Sequence, residues 1–543
     1  MFEPGPKMIR VGRENPVNSR PRGRLEMLPM GYTDLQSFIA DLESRGQVRR
    51  VCAKVDAILE ISEIVDRVSK LPAAGEAPPP LTDPVHGTRG GYGLVFENVK
   101  GSDIPVAINL LGSYERMRLA LGVDRFETLA ERVHHLVKPQ MPTTMLDKMK
   151  KLPQLARMAS YGPKVVKRGM CQEVVHTDNA NLLSLPVIQC WPHDGEAGYG
   201  ARPADATEGT GRFFTFAGIY TKDPESGDRN VGMYRVQVYG RKRAAMHWHV
   251  HHDGARHCRK YKARGEKMPV AIVLGGEPVL TYAATCPLPP DMSELLFAGF
   301  LNEGGIELVG CKTVPLEVPV NAEIVVEGWV DPRELIWEGP FGDHTGFYSL
   351  ADRYPALTVT AITHRKNPVF PATIVGPPPQ EDYYLGKATE RIFLPLLQML
   401  IPDVIDYSLP MFGAFHNCVF VKIRKEYPMQ ARRVMSSIWG AGQMSFCKMI
   451  VVVDEHVDVH DEQDVFFHMG ANVDWRRDTM IVDGPCDILD HATPYYGSGA
   501  KIGIDATRKI SGEGLVREFP EALEMSKKVR DLVDGRWSEY GIS

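Results

Sequence analysis

The chain has 543 residues, of which 43% are hydrophobic and 24% charged, with a formal net charge of −5 and a pI of about 6.4. This length predicts about two to four domains, and the mild acidity argues against a nucleic-acid binder, which would carry a basic face. Nine cysteines without a CxxC pair predict neither a disulfide framework nor a cysteine-rich zinc site, and favour a reducing cytoplasm. We find no apolar run near the roughly 20 residues that a membrane span needs.

The first 30 residues are rich in Pro, Gly and Arg and lack the apolar segment of a secretory signal. We expect them to form a flexible N-terminal extension. Alternating helix and strand patterns over residues 31–180 then predict an N-terminal α/β domain. Its expected elements are a helix after a capping box of Thr33 and Gln36, helices over 58–71 and from Tyr114, and strands over 93–99 and 104–111.

Residues 181–365 contain alternating apolar runs that are separated by turn residues, which is typical of an antiparallel meander. We interpret them as a β-rich, barrel-like domain with one helix over 293–301. Over residues 366–543 a βαβ pattern returns and predicts a second α/β domain that ends in a helix. We expect that last helix to dock on a neighbouring subunit. The expected helices cover 384–399, 430–439 and 463–468, and the expected strands cover 418–423, 448–454 and 478–483.

Three groups of residues could carry chemistry, while P-loop, GxGxxG and HExxH motifs are absent from the sequence. The first group is Asn230 and Arg235 in the run NVGMYR. Side chains of a strand alternate between its faces, so these two residues share a site only if the strand is irregular. The alternative is a hairpin asparagine with a surface arginine.

The second group is a histidine cluster formed by His247, His249, His251 and His252. Alternation would place His247, His249 and His251 on one face of a strand. Imidazole is the commonest metal ligand among side chains, but a strand of histidines can equally be a polar sheet face. Spacing alone leaves both interpretations open.

The third group is Glu338 and Asp343 in the run EGPFGDHTG, a Gly/Pro-rich segment that follows an expected strand. Neighbouring carboxylates can split their pKa values, so that one stays protonated and acts as an acid. A nearby arginine would instead favour the ionised form. The alternative is a solvated acidic turn.

Taken together in chain order, the segments NVGMYR, MHW, PLPPDMSE, EIVVEG, EGPFGDHTG and GIDATRK resemble the UbiD family of prenylated-flavin decarboxylases, the 3-octaprenyl-4-hydroxybenzoate carboxy-lyases. The resemblance extends from about residue 32 to the C-terminal region. It implies an α/β fold class (α+β) with an N-terminal α/β domain, a central flavin-reductase-like split β-barrel that binds prenylated FMN, and a C-terminal α/β domain for self-association.

The resemblance also implies roles for individual residues. Asn230 and Glu294 match metal-binding residues, and His251, or else His252, matches the metal-binding histidine. The implied metal is divalent, Mn²⁺ or Mg²⁺, with K⁺ close by, and it bridges the flavin phosphate to the protein. Residues matched to flavin-contacting positions are Met233, Tyr234, Arg235, His247 and Trp248. Those matched to the catalytic network are Arg235, Glu338 and Asp343, and the segment 383–385 is expected in the substrate-pocket wall.

The implied reaction is reversible, non-oxidative decarboxylation of an aromatic or α,β-unsaturated carboxylic acid, with a hydroxybenzoate-type acid such as a ubiquinone precursor as the first candidate. A flavin prenyltransferase would supply the cofactor, and the enzyme would be a cytoplasmic homo-oligomer, a dimer or a hexamer, without nucleic-acid or membrane partners. Two other classes stay open. One is a metal-dependent hydrolase built on the histidine cluster, and the other is a non-catalytic flavin-binding or assembly subunit of a carboxylase.

Overall fold

The structure is a computed structural model that describes residues 31–75, 83–84, 86–137, 158, 160–249, 252–288, 292–521, 523 and 525–542. The predicted N-terminal extension lies outside the described residues. The helices are α1 (Leu35–Ser44), α2 (Glu60–Ser69), α3 (Tyr114–Ala120), α4 (Phe126–Val137), α5 (Asp253–Arg264), α6 (Pro278–Ala283), α7 (Glu294–Leu301), α8 (Glu381–Leu400), α9 (Gln430–Trp439), α10 (Glu462–Asn472) and α11 (Lys527–Gly535). The strands are β1 (Val48–Val55), β2 (Gly93–Val99), β3 (Val106–Ile108), β4 (Lys164–Val166), β5 (Val174–His176), β6 (Phe213–Phe214), β7 (Gly218–Lys222), β8 (Arg229–Met233), β9 (Val236–Val238), β10 (Arg243–Met246), β11 (Met268–Leu274), β12 (Glu307–Gly310), β13 (Glu317–Pro319), β14 (Ile324–Glu338), β15 (Phe341–Gly342), β16 (Tyr348–Ser349), β17 (Asp352–His364), β18 (Phe370–Ala372), β19 (Val404–Ser408), β20 (Cys418–Ile423), β21 (Met449–Asp454), β22 (Thr479–Pro485) and β23 (Ser498–Asp505).

The N-terminal sheet has the strand order β1-β2-β3-β18, with helices packed beside it, as the α/β pattern predicts. The capping box of α1 lies one residue later than expected, on Asp34 and Ser37. Asp34 accepts from the Ser37 backbone N–H at 2.7 Å, and the Ser37 hydroxyl accepts from the Asp34 N–H at 3.2 Å. Gln36 instead donates to Glu323 at 2.8 Å. The prediction of Thr33 and Gln36 is wrong because Asp34 is an equally good N-cap, and its negative charge favours the helix N-terminus.

The large central sheet is antiparallel and curls into a half-barrel, which confirms the predicted meander. Its strand order is β6-β9-β10-β17-β14-β11-β7-β8, and β5 pairs with β17. The longest strands, β14 and β17, pair from Ile324 opposite His364 to Glu338 opposite Asp352. This pairing brings the end of β14 to the base of the β15–β16 hairpin.

Helix α5 was not predicted, although its end carries a standard signal. Gly265 follows the helix with φ +71°, a left-handed conformation that glycine adopts at little cost. The residues before it were expected to continue a strand of histidines. Instead β10 ends at Met246, and α5 begins at Asp253.

The C-terminal sheet has the order β19-β20-β21-β23-β22, with β20, β21 and β23 mutually parallel. Apolar cores lie on both of its faces, which confirms the predicted α/β domain. The bounds of β20 and α9 match the predicted ranges. All nine cysteines are free thiols. Over the described part of the chain, no helix is long and apolar enough to cross a membrane.

Candidate active site

A buried arginine joins two acidic side chains that are more than 100 residues away in the sequence. Arg235 lies between β8 and β9, Glu338 ends β14, and Asp343 follows β15 in the β15–β16 hairpin. Arg235 Nε and Nη2 donate to the two Glu338 oxygens at 2.7 and 3.1 Å, and Nη1 donates to Asp343 Oδ2 at 2.6 Å. The side chains are 8%, 0% and 9% exposed. The arrangement is a charge-assisted network, shielded from solvent.

The chain around this arginine is irregular, as a shared site requires. Strand β8 ends at Met233 and β9 begins at Val236, so regular alternation stops at Tyr234 and Arg235. The rule that would place Asn230 and Arg235 on opposite faces therefore does not apply across this break.

Both carboxylates are ionised in this arrangement. Burial by itself would raise the pKa of Glu338, but the charge of Arg235 and the contact with His247 hold it well below its usual range. Burial would likewise raise the pKa of Asp343, but the His344 hydrogen bond and the Arg235 charge hold it low. The two carboxylates face the Arg235 guanidinium and the His344 ring, whose pKa the Asp343 contact raises.

The histidine cluster forms a row of rings beside this network. His247 Nδ1 lies 2.8 Å from Glu338 Oε2, and burial together with the Arg235 charge lowers the pKa of His247, so that its ring is neutral. The ring centroids are 4.3 Å apart for His247 and His249, and 5.0 Å apart for His249 and His252. These residues follow β10 rather than extend it, so the prediction that they share a strand face is wrong. His251 lies outside the described residues.

Glu294 contacts the residue that follows Asn230 on strand β8. Glu294 begins α7, and its Oε2 accepts from the backbone N–H of Val231 at 2.9 Å. Burial raises the pKa of Glu294 to about 7. Among the described residues, the Asn230 amide nitrogen and the Trp248 indole N–H are buried without a hydrogen-bond partner. Such orphaned donors are costly unless a ligand satisfies them.

No three or more His, Cys, Asp or Glu side chains converge on a metal geometry within the described residues. The sequence-predicted metal ligands therefore come together only in part. Glu294 contacts Val231, the neighbour of Asn230 in the chain, while Tyr234 stacks on His252 with centroids 4.6 Å apart. Met233 is half-buried next to them and donates its backbone N–H to Ala284 at 2.9 Å.

Sequence reasoning missed several residues that complete the network. Ser349 accepts from Arg235 Nη2 at 3.0 Å, and the Phe341 ring lies under the guanidinium at 4.6 Å. His344 Nδ1 lies 3.0 Å from Asp343 Oδ1. All three stand in or beside the EGPFGDHTG run, so their proximity in sequence could have indicated them.

A cavity of about 120 Å³ lies beside the acidic hairpin. Its lining includes Trp191, Asp343, Phe347, Tyr348 and Pro377. The tyrosines expected in the pocket wall, Tyr383 and Tyr384, are instead 1% exposed and belong to an apolar core. An aromatic wall is thus present, but it comes from other segments of the chain.

The Trp191 ring packs directly against the backbone of Gly342 and Gly376. A Cβ on Gly342 would overlap the Trp191 ring, and a Cβ on Gly376 would contact it at 2.5 Å. We expect Gly342→Ala to lower the free energy of unfolding by about 1–3 kcal/mol, because the ring or the hairpin must shift. Calorimetric melting checks this. The matched control is Gly470→Ala on α10, where no atom lies within 4 Å and helix propensity favours alanine. Equal melting of Gly342→Ala and the unsubstituted protein would contradict the packing argument.

Three models of one family match this chain. They are the 3-octaprenyl-4-hydroxybenzoate carboxy-lyase N-terminal domain over residues 39–135, the Rift-related domain over 164–378 and the C-terminal domain over 383–506. This chain belongs to the UbiD family. An uncharacterized protein of Aquifex aeolicus (strain VF5) is 48% identical over 94% of this chain and 99% of its own length.

Solved UbiD-class structures share the whole architecture. Sedimentibacter hydroxybenzoicus vanillic acid decarboxylase in its closed form is 27% identical, with a TM-score of 0.76 over 94% of this chain and 99% of its own. The UbiD-class enzyme HmfF from Pelotomaculum thermopropionicum, in complex with FMN, is 26% identical, with a TM-score of 0.70 over 92% and 99%. An evolved dimeric form of HmfF, in complex with prFMN, is 25% identical, also with a TM-score of 0.70, over 92% and 98%. The mixed α/β fold with its half-barrel is thus a UbiD fold.

Proposed function

We propose that this UbiD-family chain is a carboxy-lyase that uses prenylated FMN for reversible, non-oxidative decarboxylation of an aromatic or α,β-unsaturated acid. The observation that carries the proposal is the buried network in which Arg235 holds Glu338 and Asp343 together. Family membership and the decarboxylases among the structural neighbours support the same reaction class. A hydroxybenzoate-type acid is the first candidate, because the cavity beside Asp343 has aromatic walls.

The described residues fit a phosphorylated cofactor held through a cation. Asn230 and Glu294 offer an amide and a carboxylate on adjacent segments, and hard divalent ions such as Mn²⁺ or Mg²⁺ prefer oxygen ligands. A cation would also favour the ionised form of Glu294, whose pKa burial raises to about 7. We propose Asn230, Glu294 and one of His251 and His252 as ligands, with K⁺ nearby. Met233, Tyr234, Arg235, His247 and Trp248 would line the flavin.

Prenylated FMN, when bound, supplies an electron sink for the carbon that loses CO2. Arg235 orients the two carboxylates, and Glu338 with His247 fixes the guanidinium. The overall reaction consumes one proton for each CO2 released, and we assign its delivery to Asp343. The entering substrate carboxylate adds negative charge beside Asp343, which raises the pKa of Asp343 and favours proton uptake there.

The first experiment is an absorbance spectrum and mass analysis of the cofactor released from protein co-expressed with a flavin prenyltransferase, the proposed supplier. Prenylated FMN near one per chain, together with CO2 release from 4-hydroxybenzoic, 3,4-dihydroxybenzoic or vanillic acid, is the expected result. Bound cofactor without CO2 release from any unsaturated acid would favour the non-catalytic subunit. Protein without flavin would favour the alternative of a metal-dependent hydrolase built on the histidine cluster. In the structure, however, His247 of that cluster contacts Glu338.

Removing either proposed metal ligand should release metal and flavin together. We expect Asn230→Ala and Glu294→Gln to retain less than about a tenth of the cofactor, because ligand loss weakens metal sites strongly. Metal analysis and flavin absorbance of the purified variants check this. The matched control is Glu266→Gln, whose carboxylate is half-exposed and paired with Arg264. Stoichiometric metal in both variants would contradict the assignment of Asn230 and Glu294 as metal ligands.

We also propose a division into an extension (1–30), an N-terminal α/β domain (31–180), a cofactor-binding half-barrel (181–365) and a C-terminal oligomerisation domain (366–543). Two strands cross these bounds, because β5 pairs with β17 of the half-barrel and β18 pairs with β3 of the N-terminal sheet. The exposed apolar face of α11, with Val529 and Leu532, supports a homo-oligomer, because such a face is more stable when a partner covers it.

A further inference from the structure

A line of three side chains leads from the acidic hairpin into the C-terminal sheet region. Asp343 Oδ1 lies 3.0 Å from His344 Nδ1, and His344 Nε2 lies 2.7 Å from His416 Nε2. His416 lies in the short segment before β20 and is half-buried. The His344 ring stacks on Phe415 with centroids 5.1 Å apart, which restricts the plane of the ring. The three groups therefore form one continuous hydrogen-bonded path.

The contacts of Asp343 leave one side chain that can give it a proton. Its Oδ2 accepts from Arg235, and an arginine side chain does not lose its proton in proteins. Its Oδ1 accepts from the backbone N–H of His344 at 2.9 Å and contacts the ring of the same residue. A backbone amide does not supply protons on this time scale. Within the described residues, the His344 ring is thus the titratable donor in contact with the Asp343 carboxylate.

We propose that His344 and His416 form a relay that reloads Asp343 with a proton in each turnover. The inference rests on the decarboxylase function proposed above. When the Asp343 O–H bond breaks and a C–H bond forms on the product, the His344 Nδ1–H bond breaks and a new O–H bond forms at Oδ1. His416 passes its Nε2 proton to His344 Nε2, and a water that enters beside the half-buried His416 ring then returns a proton to it at Nδ1. One solvent proton moves to the product carbon, both rings are left as the other tautomer, and exchange with water restores the starting tautomers before the next turnover. No electron is transferred to or from an outside reagent.

The electrostatics direct the proton from His416 to His344. Burial would lower the pKa of His344, but the hydrogen bond and charge of Asp343 raise it above its ordinary value. Burial and the neighbouring His344 lower the pKa of His416 to about 3. A proton that enters at His416 is therefore more stable on His344. Among the described residues, His416 Nδ1 is buried without a partner, which leaves it to accept the next proton.

The titratable groups around His344 come from four segments, and the three acidic ones favour its protonated form. The acidic groups are Asp343 on its own hairpin, Asp382 at the start of α8 and Asp487 after β22, and the fourth group is the neutral ring of His416. As pH rises through the elevated pKa of His344, the relay loses its proton. The activity that depends on it is then lost at alkaline pH.

The test uses cofactor-loaded enzyme and the first of 4-hydroxybenzoic, 3,4-dihydroxybenzoic and vanillic acids that it decarboxylates. Two rates are measured, deuterium incorporation at the product carbon in D2O and exchange of ¹³C-bicarbonate into the acid. We expect His344→Gln and His416→Gln to lose about 10²-fold in deuterium incorporation. Carbon exchange should stay within about twofold, because C–C cleavage precedes the proton step. His344→Gln should also lose the alkaline limb of the kcat profile.

The matched control is His364→Gln, because His364 Nε2 contacts His176 Nε2 at 3.3 Å in a histidine pair away from the site. Melting temperature and cofactor content establish that each variant folds, and added imidazole should rescue His344→Ala but not His344→Gln. Deuterium incorporation at the wild-type rate in both His344→Gln and His416→Gln would contradict the relay but not the proposed decarboxylase function. A loaded wild-type enzyme that releases no CO2 would instead overturn the proposed function, and the relay with it.

Discussion

Replacing Asp343 by asparagine is expected to abolish turnover while the flavin stays bound. Asparagine keeps the size of the side chain and an oxygen that can accept from Arg235, which binds Asp343 at 2.6 Å. It cannot carry the proton that each decarboxylation consumes. Because a positioned acid contributes about 10²–10⁴-fold, kcat should fall by at least about 10²-fold. CO2 release and flavin absorbance on the same preparation measure both parts of this prediction.

The control for this variant is Asp352→Asn on β17, a nearby exposed carboxylate. It should keep its activity, because it lies outside the buried network. An Asp343→Asn enzyme that works at the wild-type rate would show that another group delivers the proton. Loss of flavin from Asp343→Asn would show that the residue supports cofactor binding instead.

Replacing Arg235 by glutamine is expected to lower both stability and activity. Without the guanidinium, two buried carboxylates lose their partner, and breaking a buried ion pair costs about 3–5 kcal/mol. Turnover should also be lost, because Glu338 and Asp343 are no longer held together. Thermal unfolding and CO2 release check the two effects.

The effect of pH on the stability of Arg235→Gln has a predicted direction. In the wild type the pKa of Asp343 is held below its usual range by His344 and Arg235, and that of Glu338 by Arg235 and His247. The stability that these carboxylates contribute is therefore lost as pH falls through those values. In Arg235→Gln the loss of the guanidinium charge raises both pKa values relative to the wild type, so the variant loses stability relative to the wild type as pH rises. The melting-temperature difference between the two proteins should therefore shrink from pH 8 to pH 5.

Arg243→Gln provides the matched control, because Arg243 pairs with Glu334 at 2.5 Å but is 44% exposed. Surface pairs contribute about 0–1 kcal/mol, so this variant should melt close to the wild type at every pH. A pH-independent melting difference for Arg235→Gln would contradict the charge argument.

Several residues of the site could be predicted from the sequence, but their contacts with one another could not. The NVGMYR and EGPFGDHTG runs contain Arg235, Glu338 and Asp343, which their resemblance to the UbiD family predicts as the catalytic network. The structure brings these three side chains into contact. The histidine cluster was less informative, because strand β10 ends before it and His247 contacts Glu338. His416 carried no local signal, since its partner His344 is 72 residues away.

The sequence by itself determined most of the local elements and their order, with helix α5 as an exception. Strands β2 and β20 and helix α9 match their predicted ranges, because side-chain periodicity and capping act over a few residues. Only the tertiary structure decided the long-range pairings. Strand β18 follows the half-barrel in the chain but returns to pair with β3 in the N-terminal sheet. Arg235 meets Glu338 because the pairing of β14 with β17 and the break after β8 set their positions. Contacts between such distant residues depend on sheet register and packing, which local pattern does not encode.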